Sequence, residues 1–352
     1  MQRPTHRQVN ILLIVASVFI VVLSGIALRN WYLKRTTKAS PSVSSLNPPA
    51  PSPTVSLNPL QIEAIKARSY PGSALTIEQN LGNQGGYTNQ IVSYLSDGLK
   101  IYALMSTPNG NAPNGGWPVI ILNHGYINPA EYRTNDGSYG GLTATLARSG
   151  FVIIKPDYRG HGQSQGTPEG GHFSPVYTYD DLNLIATIKQ TALFNPARIG
   201  TLGHSLGAHT SLRVAVVSAD IKATVYLSGV VGSIEDILYN WPRSPMPSDL
   251  PASVQTTREQ LLSQYGTPKT NPEFWNSVSA IQYVANITGK TQINQSENDS
   301  TVPKLFSDHL NAALLAANKP VEYYTYPGDD HQFRTNATLA YQRILSFYRA
   351  NL

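Results

Sequence analysis

Ile199-Gly200-Thr201-Leu202-Gly203-His204-Ser205-Leu206-Gly207-Ala208 runs from an apolar segment into a helix-compatible stretch, Leu206 to Ser218, through the pattern Gly-x-Ser-x-Gly. A serine on so sharp a strand-to-helix turn stands clear of the backbone, where a histidine can take its proton. The flanking glycines let strand and helix approach closely enough for the turn to close. Ser205 is therefore the candidate nucleophile. Five residues are weak evidence alone, since the chain's own glycine and serine frequencies give roughly 0.2 chance matches at this length. The neighbouring sequence has to carry the case.

Outward from the elbow, the chain alternates short apolar runs with helix patterns. Val119 to Leu122, Phe151 to Ile154, Ile199 to Leu202 and Ala223 to Leu227 read as parallel strands covered on both faces. Gly141 to Arg148, Asp180 to Gln190, Leu206 to Ser218, Leu305 to Ala317 and Leu339 to Arg349 read as helices. Gln90 to Leu95 and Leu99 to Met105 flank Ser96-Asp97-Gly98 as a hairpin. The expected fold is α/β, a mostly parallel central sheet with helices on both faces. Its sites gather outside the carboxyl ends of the strands, where Ser205 would stand. Residues 230–290 break the rhythm with Trp241-Pro242, Pro245, Pro247 and Pro251. They read as a helical insertion after the sixth strand, either packed passively on the core or serving as a cap over the site.

A serine nucleophile needs a base, an acid to orient it, and amide donors for the oxyanion. His331, in the turn-rich Pro327-Gly328-Asp329-Asp330-His331 after the strand-like Val321 to Tyr326, is the best placed of eight histidines. Asp299, in Asp299-Ser300-Thr301-Val302-Pro303, is the candidate acid; the competing role is a helix cap, and Glu297 is the alternative acid. The segment before it, Thr291 to Gln295, is polar for a covered strand and suggests a place near a sheet edge. The Leu206 amide is one oxyanion donor. Asn123-His124-Gly125-Tyr126, leaving the run Val119 to Leu122, offers the Tyr126 amide as the second, unless Gly125 serves only the turn. Tyr126, Trp241 and Trp275 are candidate pocket residues, though aromatics in such a fold more often fill the core. Arg159 either meets a substrate carboxylate or fixes its loop by an ion pair with Asp157.

With these residues in view, the chain from about Tyr87 onward resembles an α/β-hydrolase. The order serine, acid, histidine is the order of that fold. Asp157-Tyr158-Arg159-Gly160-His161-Gly162-Gln163-Ser164 resembles its Asp-x-Arg-Gly-x-Gly-x-Ser loop. Asn195-Pro196-Ala197-Arg198-Ile199-Gly200, and Asn271-Pro272-Glu273-Phe274-Trp275 with Ser279-Ala280, are similar to the catalytic domain of prolyl oligopeptidase-type peptidases. His124-Gly125-Tyr126 resembles the oxyanion loop of acetyl esterases related to cephalosporin-C deacetylase. Two features depart from the peptidases. Ala208 stands where they usually carry another glycine, and only about 60 residues separate the apolar N-terminal run from Tyr87, too few for the β-propeller of the larger members.

The rest of the chain bounds the setting. Of its 352 residues 41% are hydrophobic, enough for a sizeable core. The formal charge of +5 is concentrated at one end: Arg3, Arg7, Arg29, Lys34, Arg35 and Lys38 precede any acidic residue, leaving 20 basic against 21 acidic residues beyond. A neutral body gives nucleic-acid binding no electrostatic support. The absence of cysteine excludes disulfides, thiolate metal sites and a cysteine nucleophile. Residues 9–28 carry no charge and are long enough to span a bilayer; Gly25-Ile26-Ala27 leaves open a cleaved signal. Three segments are expected: 1–38 as anchor or signal, 39–60 as a Ser/Pro-rich linker, and 61–352 as the catalytic domain, extracytoplasmic and held at a membrane, or secreted after cleavage.

The expected activity is hydrolysis of an acyl bond in a short peptide or small ester, through an acyl-enzyme on Ser205 and without metal or organic cofactor. A prolyl oligopeptidase-like serine peptidase leads and a carboxylesterase or acetyl esterase follows. The alternative of another class is a membrane-tethered binding protein without catalysis.

Overall fold

The computed structural model describes residues 24–34, 57–169, 171–242 and 252–352. The chain separates into two units, Met1–Ser56 and Leu57–Leu352, each taken by itself. In the first, residues 24–34 form an exposed helix, α1. Most of the apolar run 9–28 and of the linker 39–60 lies outside the described residues. Among the described residues no helix is long and apolar enough to cross a membrane.

Among its described residues the second unit holds nine strands: β1 (Thr76–Asn83), β2 (Tyr87–Ser96), β3 (Leu99–Pro108), β4 (Trp117–Asn123), β5 (Val152–Pro156), β6 (Phe194–His204), β7 (Ile221–Leu227), β8 (Lys290–Ser296) and β9 (Val321–Tyr326). They form one sheet in the order β1-β2-β3-β5-β4-β6-β7-β8-β9. The helices of this unit are α2 (Ile62–Ala67), α3 (Gly140–Ala147), α4 (Val176–Gln190), α5 (Leu206–Val217), α6 (Ile234–Tyr239), α7 (Ala252–Tyr265), α8 (Pro272–Val278), α9 (Lys304–Ala316) and α10 (Ala337–Asn351). β1 to β3 pair antiparallel, β3 meets β5 antiparallel, and all pairs from β5 to β9 are parallel. The β2–β3 turn has positive φ at both Asp97 and Gly98, the geometry that matches the twist of a two-residue hairpin.

The unbroken apolar runs follow from burial on both sides. Val119 and Ile121 of β4 join Ile154, Ile199 and Ile293 in one cluster with residues of α4, α5 and α9. Ile120 and Leu122 face the other way, joining Ile153, Leu202 and Val225 with residues of α3 and α10. Each such aliphatic side chain contributes about 2 kcal/mol by leaving water, so both faces are strongly specified. The chain leaves β4 toward β5 on one side and β6 toward β7 on the other. That reversal opens a crevice between the carboxyl ends of β4 and β6, into which the loops after Asn123 and His204 both lead.

Two sequence expectations need correction. Strand β1 is additional, so the helical insertion follows the seventh strand rather than the sixth. Its sequence, TIEQNLGN, shows no alternation because the strand is a mostly exposed edge with two register irregularities. Helix α4 begins at Val176, earlier than Asp180, because buried Tyr177 and Tyr179 extend its packed face. The insertion contributes to the core: Ile234, Ile237, Trp275, Val278, Ile281 and Val284 share a buried cluster with Leu212 and Val216 of α5. Residues 243–251, inside the proposed cap, lie outside the described residues.

Candidate active site

Ser205 occupies the single residue between β6 and α5, with φ 54° and ψ −118°. A non-glycine residue there is strained by about 1–3 kcal/mol, so its surroundings must impose the pose. Backbone bonds do so: the Ser205 N–H donates to Leu227 O at 3.1 Å, and Ser205 O accepts from the N–H groups of Ala208 and Val230 at 3.1 and 3.0 Å. Gly207 is obligatory. A Cβ on it would lie 2.0 Å from Asn123 O, because the first turn of α5 crosses directly over the end of β4.

His331 and Asp299, from loops after β9 and β8, come together: His331 Nδ1 donates to Asp299 Oδ2 at 2.7 Å. The proton on Nδ1 leaves Nε2 as the lone pair able to act as base. The other carboxylate oxygen accepts from the N–H groups of Thr301 and Val302, each at 2.8 Å. Asp299 therefore orients the histidine and closes its own turn at once, one oxygen for each. It does not cap α9, whose N-cap is Pro303. Burial works to raise its pKa, but the bonds from His331, Val302 and Thr301 outweigh this and hold the carboxyl below its ordinary range. Glu297, the alternative acid, is exposed.

Further groups hold the histidine loop. Fully buried Asp329 accepts from the N–H groups of Asp330, Thr335 and Asn336, cinching residues 329–336. Ser296 at the end of β8 donates to Asp330 O at 2.6 Å. The polar character of β8 has a matching cause. The strand lies one place from the sheet edge, and its buried side chains pair with one another and with neighbours, as in Asn294 with Gln292 and Tyr326, and Gln295 with Ser307.

The loop after β4 packs on the elbow. A Cβ on Gly125 would meet His204 Nδ1, Ser205 Cβ and Tyr139 Oη at 3.1–3.3 Å, so a side chain here would push these neighbours by a few tenths of an ångström. His124 Nδ1 donates to Gly125 O at 2.7 Å, and Tyr158 donates to His124 O at 3.0 Å. Holding the Gly125 carbonyl also orients the Tyr126 N–H of the same planar peptide, which points the opposite way.

A family model described as X-Pro dipeptidyl-peptidase (S15 family) matches residues 97–243, and one described as BAAT / acyl-CoA thioester hydrolase C terminal matches residues 185–335. Dipeptidyl aminopeptidase BIII of Pseudoxanthomonas mexicana is 23% identical over 221 residues, which is 61% of this chain and 30% of that protein. An acetyl xylan esterase from Paenibacillus sp. R4 superposes with a TM-score of 0.61 at 17% identity, covering 83% of this chain and 92% of its own. Dipeptidyl peptidase 4 of Porphyromonas gingivalis gives 0.56 at 23% identity, covering 76% and 36%. The chain has the α/β-hydrolase fold. The chain of this α/β-hydrolase spans about a third of the length of the curated relatives it matches first.

Elsewhere the α/β-hydrolase departs from what its sequence suggests. Trp275 is a core residue, buried, with Nε1 donating to Gly266 O, so it lines no pocket. Trp241 stays beside the site: its Nε1 donates to Thr301 O at 2.8 Å, bracing the acid loop, and its ring meets His172 and Phe306 edge-on. Tyr126 is at the surface, 36% exposed. Arg159 pairs with Asp180 and Asp97, at 2.6 and 3.1 Å, and not with Asp157. Asp157 instead accepts from Tyr132 and Thr134, and burial raises its pKa to about 6. Tyr139, Tyr158 and Asp329 carried no local signal. Tyr139 and Tyr158 act on residues 14 to 65 positions away, which only the fold supplies, and Asp329 acts on amides one to seven positions on in its own loop.

Proposed function

We propose that the protein hydrolyses acyl bonds through an acyl-enzyme on Ser205. The Ser205 oxygen attacks the carbonyl while His331 Nε2 takes its proton, and Asp299 holds the resulting imidazolium. The N–H groups of Leu206 and Tyr126 receive the oxyanion. His331 then protonates the leaving group, and a water that it activates releases the acyl product. The observation that carries this reading is the 2.7 Å Asp299–His331 pair on loops beside the strained Ser205 elbow. Presence of the whole constellation counts against a binding protein without catalysis.

For the substrate we favour a short peptide, in line with the S15 match across the elbow and with the dipeptidyl aminopeptidase relative. An ester is the second reading, favoured by the acetyl xylan esterase that aligns along 92% of its own length. Rates on aminoacyl anilides and on short p-nitrophenyl esters separate the two, and activity confined to esters would overturn the peptidase. A fluorophosphonate probe tests the nucleophile: wild type is expected to label and Ser205→Ala is not. The uncharged run 9–28 supports a membrane-anchored protein with its catalytic unit outside the cytoplasm. Release of the full chain from membranes by high salt, without detergent, would count against the anchor.

A further inference from the structure

Three hydrogen bonds join the oxyanion loop to the histidine loop without passing through the triad's side chains. The Gly125 N–H donates to Tyr139 Oη at 2.8 Å. The same oxygen lies 2.8 Å from His204 Nδ1, and His204 Nε2 lies 3.0 Å from the carbonyl oxygen of His331. The two ends dictate the direction of the whole chain. An amide N–H only donates and a carbonyl only accepts, so His204 carries its proton on Nε2 and presents a lone pair at Nδ1. The Tyr139 hydroxyl must then donate to that lone pair, and no proton in the series is left over.

We propose that Tyr139 and His204 are positioning residues which set the distance between the oxyanion hole and the catalytic histidine, so that both stay registered on the same serine. The role rests on the triad reading above. Two independent features converge on it. Tyr139 sits at φ 63° and ψ 11°, a left-handed pose that costs a bulky residue on the order of 1 kcal/mol, yet its side chain makes no capping bond to α3. What the hydroxyl does reach is the oxyanion loop and the elbow. The second feature is the convergence of His204 Nδ1, Ser205 Cβ and Tyr139 Oη on the space where Gly125 lacks a Cβ. His204 is buried, and its ring lies 4.7 Å from that of His331. Burial and the neighbouring His331 lower its pKa to about 4, so its ring is neutral at pH 7.

The first test uses wild-type full-length protein with ¹⁵N-labelled histidine. At pH 7 His204 is expected as the Nε2–H tautomer with an unprotonated, hydrogen-bonded Nδ1; the Nδ1–H tautomer would overturn the relay. The second is kinetic, on p-nitrophenyl acetate. Tyr139→Phe and His204→Leu are each expected to lower kcat 10- to 100-fold with KM within about threefold, as a small misplacement of catalytic groups does. The double variant should be no worse than the poorer single, because both break one chain. His204→Gln, which can still donate and accept, should recover about tenfold over His204→Leu, whereas a packing role would favour leucine. A kcat for Tyr139→Phe within twofold of wild type, or losses that multiply in the double variant, overturns the proposal. Equal fluorophosphonate labelling of wild type and Ser205→Ala would instead overturn the triad reading, and the positioning role with it; the tautomer measurement stands apart from that outcome.

Discussion

His204, next to Ser205, bonds the backbone of His331, yet the chain holds Ser205 and His331 by opposite means. Ser205 is held by backbone: a strand, a helix and three main-chain hydrogen bonds, with a glycine two residues on that leaves room for them. His331 is held by side chains and by remote segments, through Asp299, Ser296, Asp329 and His204. The backbone pose of Ser205 should therefore survive changes in side-chain polarity and fail when volume is added. The histidine loop should do the reverse, keeping its fold while losing its register when a single polar atom changes.

The largest effect expected from this contrast is on the histidine side. In Asp299→Asn the side-chain carbonyl can still accept from Thr301 and Val302, while the amide now presents N–H groups to His331 Nδ1. The wrong tautomer follows, and kcat on p-nitrophenyl acetate should fall by about 10⁴ with the melting temperature little changed. A loss under tenfold would mean that backbone, not the carboxylate, orients His331.

Gly207→Ala probes the elbow. The added methyl has no room against Asn123 O, and the expected loss is about 3 kcal/mol of unfolding free energy or more, read by urea denaturation. Unchanged stability would show that β4 and α5 can separate, and that the elbow is less rigid than its hydrogen bonds suggest.

The smallest effect concerns the floor shared by elbow and oxyanion loop. Asp181 is buried against Asn123 at 2.6 Å, and Asn123 in turn donates to Ser211 of α5 at 3.0 Å. Burial raises the Asp181 pKa from 3.8 to about 8. The folded state thus keeps a proton that the unfolded chain releases above about pH 4. Its stability contribution is complete below that pH, declines as pH rises, and levels off above about 8. Asp181→Asn should remove this decline, gaining stability relative to wild type as pH rises from 5 to 8. Parallel stability curves for the two proteins would mean that Asp181 is ionised in the fold.

Much of the scaffold was legible because it is written in local periodicity. The apolar runs of β4 to β7 and the patterns of α3, α5, α9 and α10 reflect burial of each segment's own residues, which neighbours in sequence report. β1 escaped because an exposed edge strand has no buried face to leave a pattern. Trp275 was ambiguous for the opposite reason: an aromatic in an irregular segment reads alike whether it lines a pocket or fills the core, and only the packing of α8 on α5's cluster decided it. Arg159 lies two residues from Asp157 yet pairs with carboxylates from other segments. Its partners Asp180 and Asp97 come from α4 and the β2–β3 turn.

By itself the sequence determined the order of serine, acid and histidine, the covered strands between them, and the glycine-flanked turn that exposes Ser205. These are properties of covalent neighbours, since a turn's geometry and a strand's burial are set by residues within a few positions. Only the tertiary structure decided that Asp299 divides its two oxygens between His331 and its own turn, and that Tyr139 and His204 link the two loops over the serine. A hydrogen bond needs a donor and an acceptor within about 3 Å in a fixed direction, and for residues 32 to 127 positions apart that meeting is arranged by strand order, which no local pattern records.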